Sequence, residues 1–504
     1  MTGYLLLSVD SLYLELILRP GYNIDSKQTE EIMRDYNFGN FLHELRTRRG
    51  LTQYQLGALV GVSDKAVSKW ENGSSKPQSS ILYKLSEILG ISVDELLSCK
   101  YHAFEKKKAK GVFAMKKQLW NKAFEAMCQL YGDSSPIEIT NRFFKEEAEM
   151  QKTDMIAYFD MLSKLKIEAG KEGEHIRVRG GKGASLVAYL LGATEINPLK
   201  PHYYCPSCHA VIFNNISDDC WDLPKRKCEC GNEMHADGHN IPFETYCHVV
   251  HRNTSFDVSV SLEFICSAKS IVQEYFKDCK FTLEEREPNK VITFMIDSEK
   301  SECSVTLCAD EELTRCKLLE QATAFCFDNA PFNSKDILNE FQKCNTDGIP
   351  EFKTDFMKNM LSAVHPNSFR DLIQISGLSH GTGVWFGNGD KLVEKCCSVG
   401  KLIAYRDDVF NYIQDKIIEK RLVDTGFAYR VMEDTRRGIY AKSCIPENIK
   451  SNLKVIGMEE WFIDSIGKIG YLFPKAHGVN SIKSALTMMW YKIHYPKEFN
   501  EIML

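Results

Sequence analysis

Cys205, Cys208, Cys228 and Cys230 form two close pairs separated by 19 residues. Two knuckles at that spacing close around one tetrahedral ion, and zinc is the metal that four such thiolates hold. The second pair is Cys-Glu-Cys rather than Cys-X-X-Cys. Cys220, His209 and His235 are therefore available as substitute ligands, and a degenerate knuckle with free thiols is the alternative. A second string with chemical content is Arg179-Gly180-Gly181-Lys182-Gly183-Ala184-Ser185. Glycines there let backbone N–H groups approach a phosphate, and a helix starting at Ala184 would add its N-terminal dipole. The string does not match a Walker P-loop.

The elements that position these residues belong to a large chain of ordinary globular composition. At 504 residues, 44% hydrophobic and 26% charged, it is too long for one core and too apolar for a disordered chain. A net charge of −5 excludes gripping nucleic acid by bulk charge, so any such face is a local patch. The opening twenty residues are apolar but carry Asp10 and Glu15 and no basic n-region, so they do not read as a signal peptide. No apolar run reaches about 18 residues, so no membrane span is expected. Eighteen cysteines without an export signal read as reduced thiols in a cytoplasmic protein, a few of them holding metal.

Residues 38–98 read as five short helices. Phe38, Phe41, Leu42 and Leu45 repeat at helical spacing up to Gly50, and Thr52 with Gln55 makes a capping box for a second helix. Gly61-Val62-Ser63 turns the chain into a third helix, Asp64 to Glu71. Ile81, Leu85, Ile88 and Leu89 form a fourth stripe closed by Gly90, and Ser92 with Glu95 makes a second capping box. Two helices joined by a three-residue turn containing Gly are a helix-turn-helix. The segment FGNFLHELRTRRGLTQYQLGALVGVSDKAVSKWENGSSKP resembles the Cro/repressor-type XRE family. The resemblance implies double-stranded DNA as partner and a homodimer through this bundle. Lys65, Ser68 and Lys69 would then face base edges or phosphates from the third helix, and Gln53 would touch the backbone. A protein-binding use of the same bundle is the alternative.

The flanks are less informative. Residues 1–37 form a leader, and 1–32 read as an overextended gene start or an arm. Residues 99–125 form a basic linker: between 100 and 122 eight lysines face one glutamate, a net of +7. It reads equally as a source of phosphate contacts or as a solvated connecting helix.

Beyond residue 130 the strings HIRVRGGKGASLVAYLLGATEINPLKPHYYCPSCH, DGHNIPFETYC, GIPEF, ISGLSHGTGVWFGN, YRDDV and YLFPKAHGVNS occur in that order. They resemble the PolC-type DNA polymerase III alpha subunit, a replicative enzyme. The resemblance implies palm segments over 126–200 and 237–345, a zinc ribbon over 201–236 and a helical fingers segment over 346–504. The expected fold class is therefore multidomain and mainly α with an α+β part. By position, Arg179, Gly180, Gly181, Lys182, Gly183 and Ser185 would hold a nucleotide's phosphates. Ser376, His380, Lys475 and His477 would contact phosphate or base. The exonuclease, phosphoesterase and clamp-binding parts of the family are not found.

Two-metal nucleotidyl transfer needs clustered carboxylates. In SFDVSVSLEF, Asp257 matches the family's first carboxylate, but Ser259 stands where the second belongs. Glu263 is expected on the same strand face, four residues on and about 13 Å away, too far to hold the same ion. The third carboxylate has no matching string, and Asp297 and Asp310 are its only nominees. The sequence is thus expected to encode a DNA-binding regulator or decoy whose polymerase-like module is inactive, with nucleotides as candidate ligands. The alternatives are a PolC-type DNA-directed DNA polymerase with an unusual site, which would need magnesium, and a decaying fusion.

Overall fold

The computed structural model describes residues 38–49, 51–89, 91, 96, 115–151, 153–214, 217–247, 254–286, 290–297, 302–395, 397–422 and 426–504. The leader, Gly50, Gly90, the Ser92–Glu95 capping box and most of the basic run lie outside these residues. The chain forms two compact units, 1–107 and 108–504.

In the first unit, α1 (Phe38–Arg48), α2 (Gln53–Val60), α3 (Asp64–Glu71) and α4 (Ser79–Leu89) surround a core of Leu42, Leu45, Leu56, Val60, Val67 and Leu85. Leu96 also packs into it. The Thr52 hydroxyl accepts the Gln55 N–H and the Gln55 side chain accepts the Thr52 N–H, the capping box read from the sequence. Ser63 caps α3 through the Ala66 N–H at 3.3 Å. Gly57 makes the turn possible: a Cβ there would fall 2.8 Å from the Val62 carbonyl oxygen, so any side chain would pry α2 from α3.

In the second unit one large hydrophobic core runs from Leu119 to Met503, and a smaller cluster of Tyr203, Cys205, Cys220, Leu223, Cys228 and Met234 fills the cysteine-bearing segment. Its centre is a five-stranded sheet, order β1-β6-β9-β8-β7. These strands are β1 (Ile176–Val178), β6 (Thr254–Val260), β7 (Lys280–Arg286), β8 (Val291–Asp297) and β9 (Glu302–Ala309). β6 runs parallel to β9 and antiparallel to β1. One face of β6, Phe256, Val258 and Val260, is fully buried, with Phe256 against Tyr158 and Phe159 of α7 (Met155–Lys171), and α9 (Ile265–Tyr275) packs on α7 and β9. A second sheet of β2 (His202–Tyr204), β3 (Val211–Phe213), β4 (Arg226–Lys227) and β5 (Glu233–Asp237) is antiparallel in the order β3-β2-β5-β4.

Helices supply the remaining scaffold: α5 (Lys116–Tyr131), α6 (Ile137–Met150), α8 (Leu186–Leu190), α10 (Glu311–Thr323), α11 (Phe369–His380), α12 (Arg406–Glu419) and α13 (Lys475–His494). The linker expected over 99–125 is helical from Lys116 onward, because Leu119, Trp120 and Ala123 form an apolar stripe that is buried. Two of its lysines have acidic partners, Lys116 on Asp154 and Lys122 on Asp160. α13 packs against α11 and against the Gly180–Ala184 turn, which brings the C-terminal segment onto the sheet.

Candidate functional site

The small sheet gathers the four cysteines. Their sulfurs all lie within 4.8 Å of one another, with Cys205 Sγ 3.5 Å from Cys230 Sγ and Cys208 Sγ 3.4 Å from Cys228 Sγ. The Cys-Glu-Cys knuckle works because Gly231 returns the chain and Cys228 N–H reaches the Asn232 carbonyl at 2.8 Å. The Asn232 backbone N–H and side-chain amide both face Cys230 and lower its thiol to about 6. Cys220 is not part of this set. It belongs to a second buried group with Asp219 and His239.

On the main sheet, register decides which groups stand beside Asp257. Asp257 is half-buried on the face opposite the core. Its row continues to Thr306 on β9, Thr293 on β8 and Glu284 on β7. The nearest carboxylate in that row is three strands, about 14 Å, away. Ser259 lies opposite Arg177 on one side and Cys308 on the other. It is fully buried, and its hydroxyl has no hydrogen-bond partner. Arg177 bonds Glu312 at 2.6 Å and the Ser484 hydroxyl of α13 at 2.5 Å, which closes this part of the face.

The three substitute carboxylates are placed elsewhere. β6 ends at Val260, where Ser261 turns the chain by accepting the Phe264 N–H. Glu263 is therefore in an exposed turn, 3.0 Å from Lys317, not on the strand face. Asp297 lies in register with Glu302 at the far end of β8. Asp310 caps α10 through the Glu312 N–H, four residues beyond Thr306. Among the described residues, Asp257 is in no group of three or more metal-ligating side chains.

The glycine turn follows directly from β1, where the Arg179 N–H bonds the Asp257 carbonyl at 2.8 Å. Two expectations there need correction. The helix begins at Leu186 rather than Ala184, and its N-terminus is already occupied by a carboxylate. Glu146 of α6 accepts the Leu186 and Val187 N–H groups at 2.9 and 3.1 Å and the Ser185 hydroxyl at 2.6 Å. A buried anion thus takes the dipole expected for a phosphate. Lys182 points inward: its ammonium bonds the Ser255 carbonyl and lies 4.6 Å from the Phe256 ring centre, and burial pushes it down to about 8. Gly183 packs against Thr194.

The groups beside Gly180 and Gly181 are basic. Arg179 is exposed. A Cβ on Gly181 would fall 2.6 Å from an Arg406 guanidinium nitrogen, so the glycine is what admits that side chain. Arg406 is 8% exposed, its Nε has no hydrogen-bond partner, and burial lowers its pKa. It belongs to the YRDDV string, the feature of the sequence that points to this segment. His477 stacks on Phe473 beside His380. Burial and the neighbouring positive groups His380, Arg179 and Arg177 push His477 down to about 4. His380 Nε2 is 3.1 Å from Glu351, and Ser376 is buried. Lys475 is directed away: its ammonium bonds the His239 carbonyl at 2.6 Å.

In the first unit α3 exposes Lys65 and Lys69, with Ser68 half-buried between them, while Val67 and Trp70 face the core. Gln53 donates to Glu71 at 2.8 Å, and Glu71 also binds Arg46, so the Gln53 amide is held in place at the start of α2.

Comparison with known proteins matches residues 42–96 to a helix-turn-helix family, 115–287 to the bacterial DNA polymerase III alpha NTPase domain and 313–441 to the bacterial DNA polymerase III alpha subunit finger domain. "DNA polymerase III PolC-type" of Ureaplasma parvum is 30% identical over 74% of this chain and 32% of its own length. The proteins of that name from Thermotoga maritima and Bacillus subtilis are 28% and 27% identical, each over 74% of this chain and 33% and 32% of their own lengths. The chain thus joins an XRE-type helix-turn-helix domain to a segment related to the PolC-type DNA polymerase III alpha subunit, and it spans about a third of the length of the relatives it matches.

Proposed function

We propose that the protein is a DNA-binding regulator or decoy, in which the helix-turn-helix reads a duplex and the polymerase-related unit binds a nucleotide-like anion without transferring it. One observation carries the reading: the row through Asp257 holds no second carboxylate nearer than Glu284, three strands away, and the neighbouring position is a buried serine closed off by Arg177. Two ions roughly 3.5–4 Å apart need several carboxylates to anchor them, and Asp257 alone does not supply that set. Arg406, Arg179 and the Gly180–Gly181 backbone support an anion at the turn. Carboxylate loss with the anion cradle kept favours binding over turnover.

The cysteine quartet fits a structural zinc. A tetrahedral ion with Zn–S bonds of about 2.3 Å sets sulfurs about 3.8 Å apart, close to the spacing seen, and four thiolates leave no open coordination position. Lys65, Ser68 and Lys69 are the groups that would enter the major groove, with a second copy on the adjacent half-site.

The test is primer extension by the full chain with magnesium or manganese, run beside nucleotide binding and a footprint on its own promoter. No extension above a mock preparation, nucleotide binding and a protected duplex are expected. Replacing Lys69 and Ser68 by Ala is expected to weaken the footprint by about 1–3 kcal/mol if they reach base edges. Template-dependent extension that disappears in Asp257→Ala would establish the polymerase reading instead.

A further inference from the structure

Beside the cysteine quartet lies a buried polar cluster that neither the duplex nor the nucleotide uses. Asp219, Cys220 and His239 are all at most 4% exposed. Cys220 packs in one apolar cluster with Cys205 and Cys228, so it touches the interior of the small sheet. His239 Nδ1 lies 2.9 Å from Asp219 Oδ2, and the Trp221 N–H bonds the other Asp219 oxygen at 3.2 Å. Burial opposes the Asp219 charge, yet His239 and Lys475 hold its carboxyl below the usual range.

Lys475 carries the cluster to the other site. It opens α13, bonds the His239 carbonyl with its ammonium, and stands 3.9 Å from Asp219 Oδ2. Its backbone N–H donates to Asp407 Oδ2 at 2.7 Å, while Thr245 donates to Asp407 Oδ1 at 2.6 Å. Asp407 follows Arg406, whose backbone N–H is fixed on the Phe473 carbonyl at 3.1 Å. The ammonium beside Asp219 and the absence of an open face argue against a second metal here. The cluster is built to hold one end of α13 and α12 against the cysteine sheet.

We infer that metal occupancy of the cysteine quartet sets the anion affinity of the Gly180–Gly181 turn beside Arg406, the pocket meant below, through Asp219, His239, Lys475 and Asp407. The inference rests on the zinc and anion readings above. With the ion bound, Cys205 and Cys228 fix the apolar cluster that seats Cys220, and Asp219 and His239 keep the geometry that places Lys475. When the ion leaves, the four thiols no longer share a centre, and the support under Arg406 slackens. A coupling of this kind is reciprocal, so an anion in the pocket tightens zinc.

The experiment uses the full chain, loaded with one zinc and dialysed, or stripped with a chelator. A fluorescent deoxynucleoside triphosphate is titrated against each and read by anisotropy. The expected result is at least tenfold weaker binding after stripping, restored by one equivalent of zinc. In Asp219→Asn, which keeps an acceptor for the Trp221 N–H, zinc content should stay at one per chain while the zinc dependence of binding falls below about twofold. Equal affinity with and without zinc overturns the coupling and leaves the pocket standing. No binding in the zinc-loaded chain overturns the pocket, and the coupling with it. A tenfold dependence that survives in Asp219→Asn overturns this route. Hydrogen exchange of 401–408 and 474–480 separates local loosening, which is expected on stripping, from general unfolding, which would count against it.

Discussion

The helix-turn-helix unit and the main sheet each hold a few side chains in a fixed arrangement, and they do so over very different spans of chain. In the first, Gln53, Lys65, Ser68 and Lys69 lie within seventeen positions, and each helix starts at its own cap. In the second, the surroundings of Asp257 and Ser259 are assembled from Thr306, Thr293, Arg177 and, through Ser484, α13. The sheet also separates fold from chemistry within one strand. Phe256, Val258 and Val260 keep the core while Ser255, Asp257 and Ser259 face the other way, so exposed Ser255 and half-buried Asp257 can change without touching the core side. A strand therefore loses its chemistry and stays a strand, whereas in the recognition helix the cap and the contact residues share one short segment.

The sharpest break in that comparison is at Glu146. Glu146→Ala strips three buried donors of their acceptor and leaves Arg142 short of its carboxylate, and should cost the larger unit about 3–5 kcal/mol in denaturant unfolding. A loss under about 1 kcal/mol would mean the α8 terminus is open, with the dipole free for a ligand. Next is Ser259→Asp, which places a carboxylate in a sealed site where Arg177 already has Glu312. A loss of about 2–4 kcal/mol without any primer extension is expected. Restored extension would show that the face still opens to metal. In the first unit, Thr52→Ala removes one end of the capping box, and about 1 kcal/mol should be lost with DNA contacts otherwise unchanged.

The smallest effect is one of pH. His477 has a folded value of about 4 against an ordinary 6.5, so between those values the unfolded chain binds a proton that the folded chain does not. Stability should fall as pH drops from about 6.5 to 4 and be unaffected by this group above. His477→Gln should flatten that part of the profile, and an unchanged slope would place His477 in solvent.

Legibility followed the same division. Caps, turn and stripes in 52–71 could be read because helix signals are local. The quartet of cysteines could be read because two knuckles need only short spacings, although nothing in the spacing separated Cys220 from the set. Glu263 falls outside the strand, which ends three residues earlier at Val260, since alternation by two does not say where Ser261 turns the chain. Glu146 and Ser185 are 39 residues apart, so no window shorter than that pairs them. Arg406 sits in a string marked by its likeness rather than its charge, and only the close approach to Gly181 gives it a task.

Arg406 also makes the larger unit a reporter of its own occupancy. A guanidinium kept from water, with Nε unbonded, raises the energy of the empty protein. An anion that neutralises it removes part of that cost only in the folded chain. At a hundred times its dissociation constant such a ligand adds about 2.7 kcal/mol to the folding free energy. The melting temperature then becomes an assay for ligands whose identity is not known in advance. Screening phosphates, nucleotides and single-stranded oligonucleotides for a rise in that temperature would rank them by affinity for the folded chain before any activity is sought.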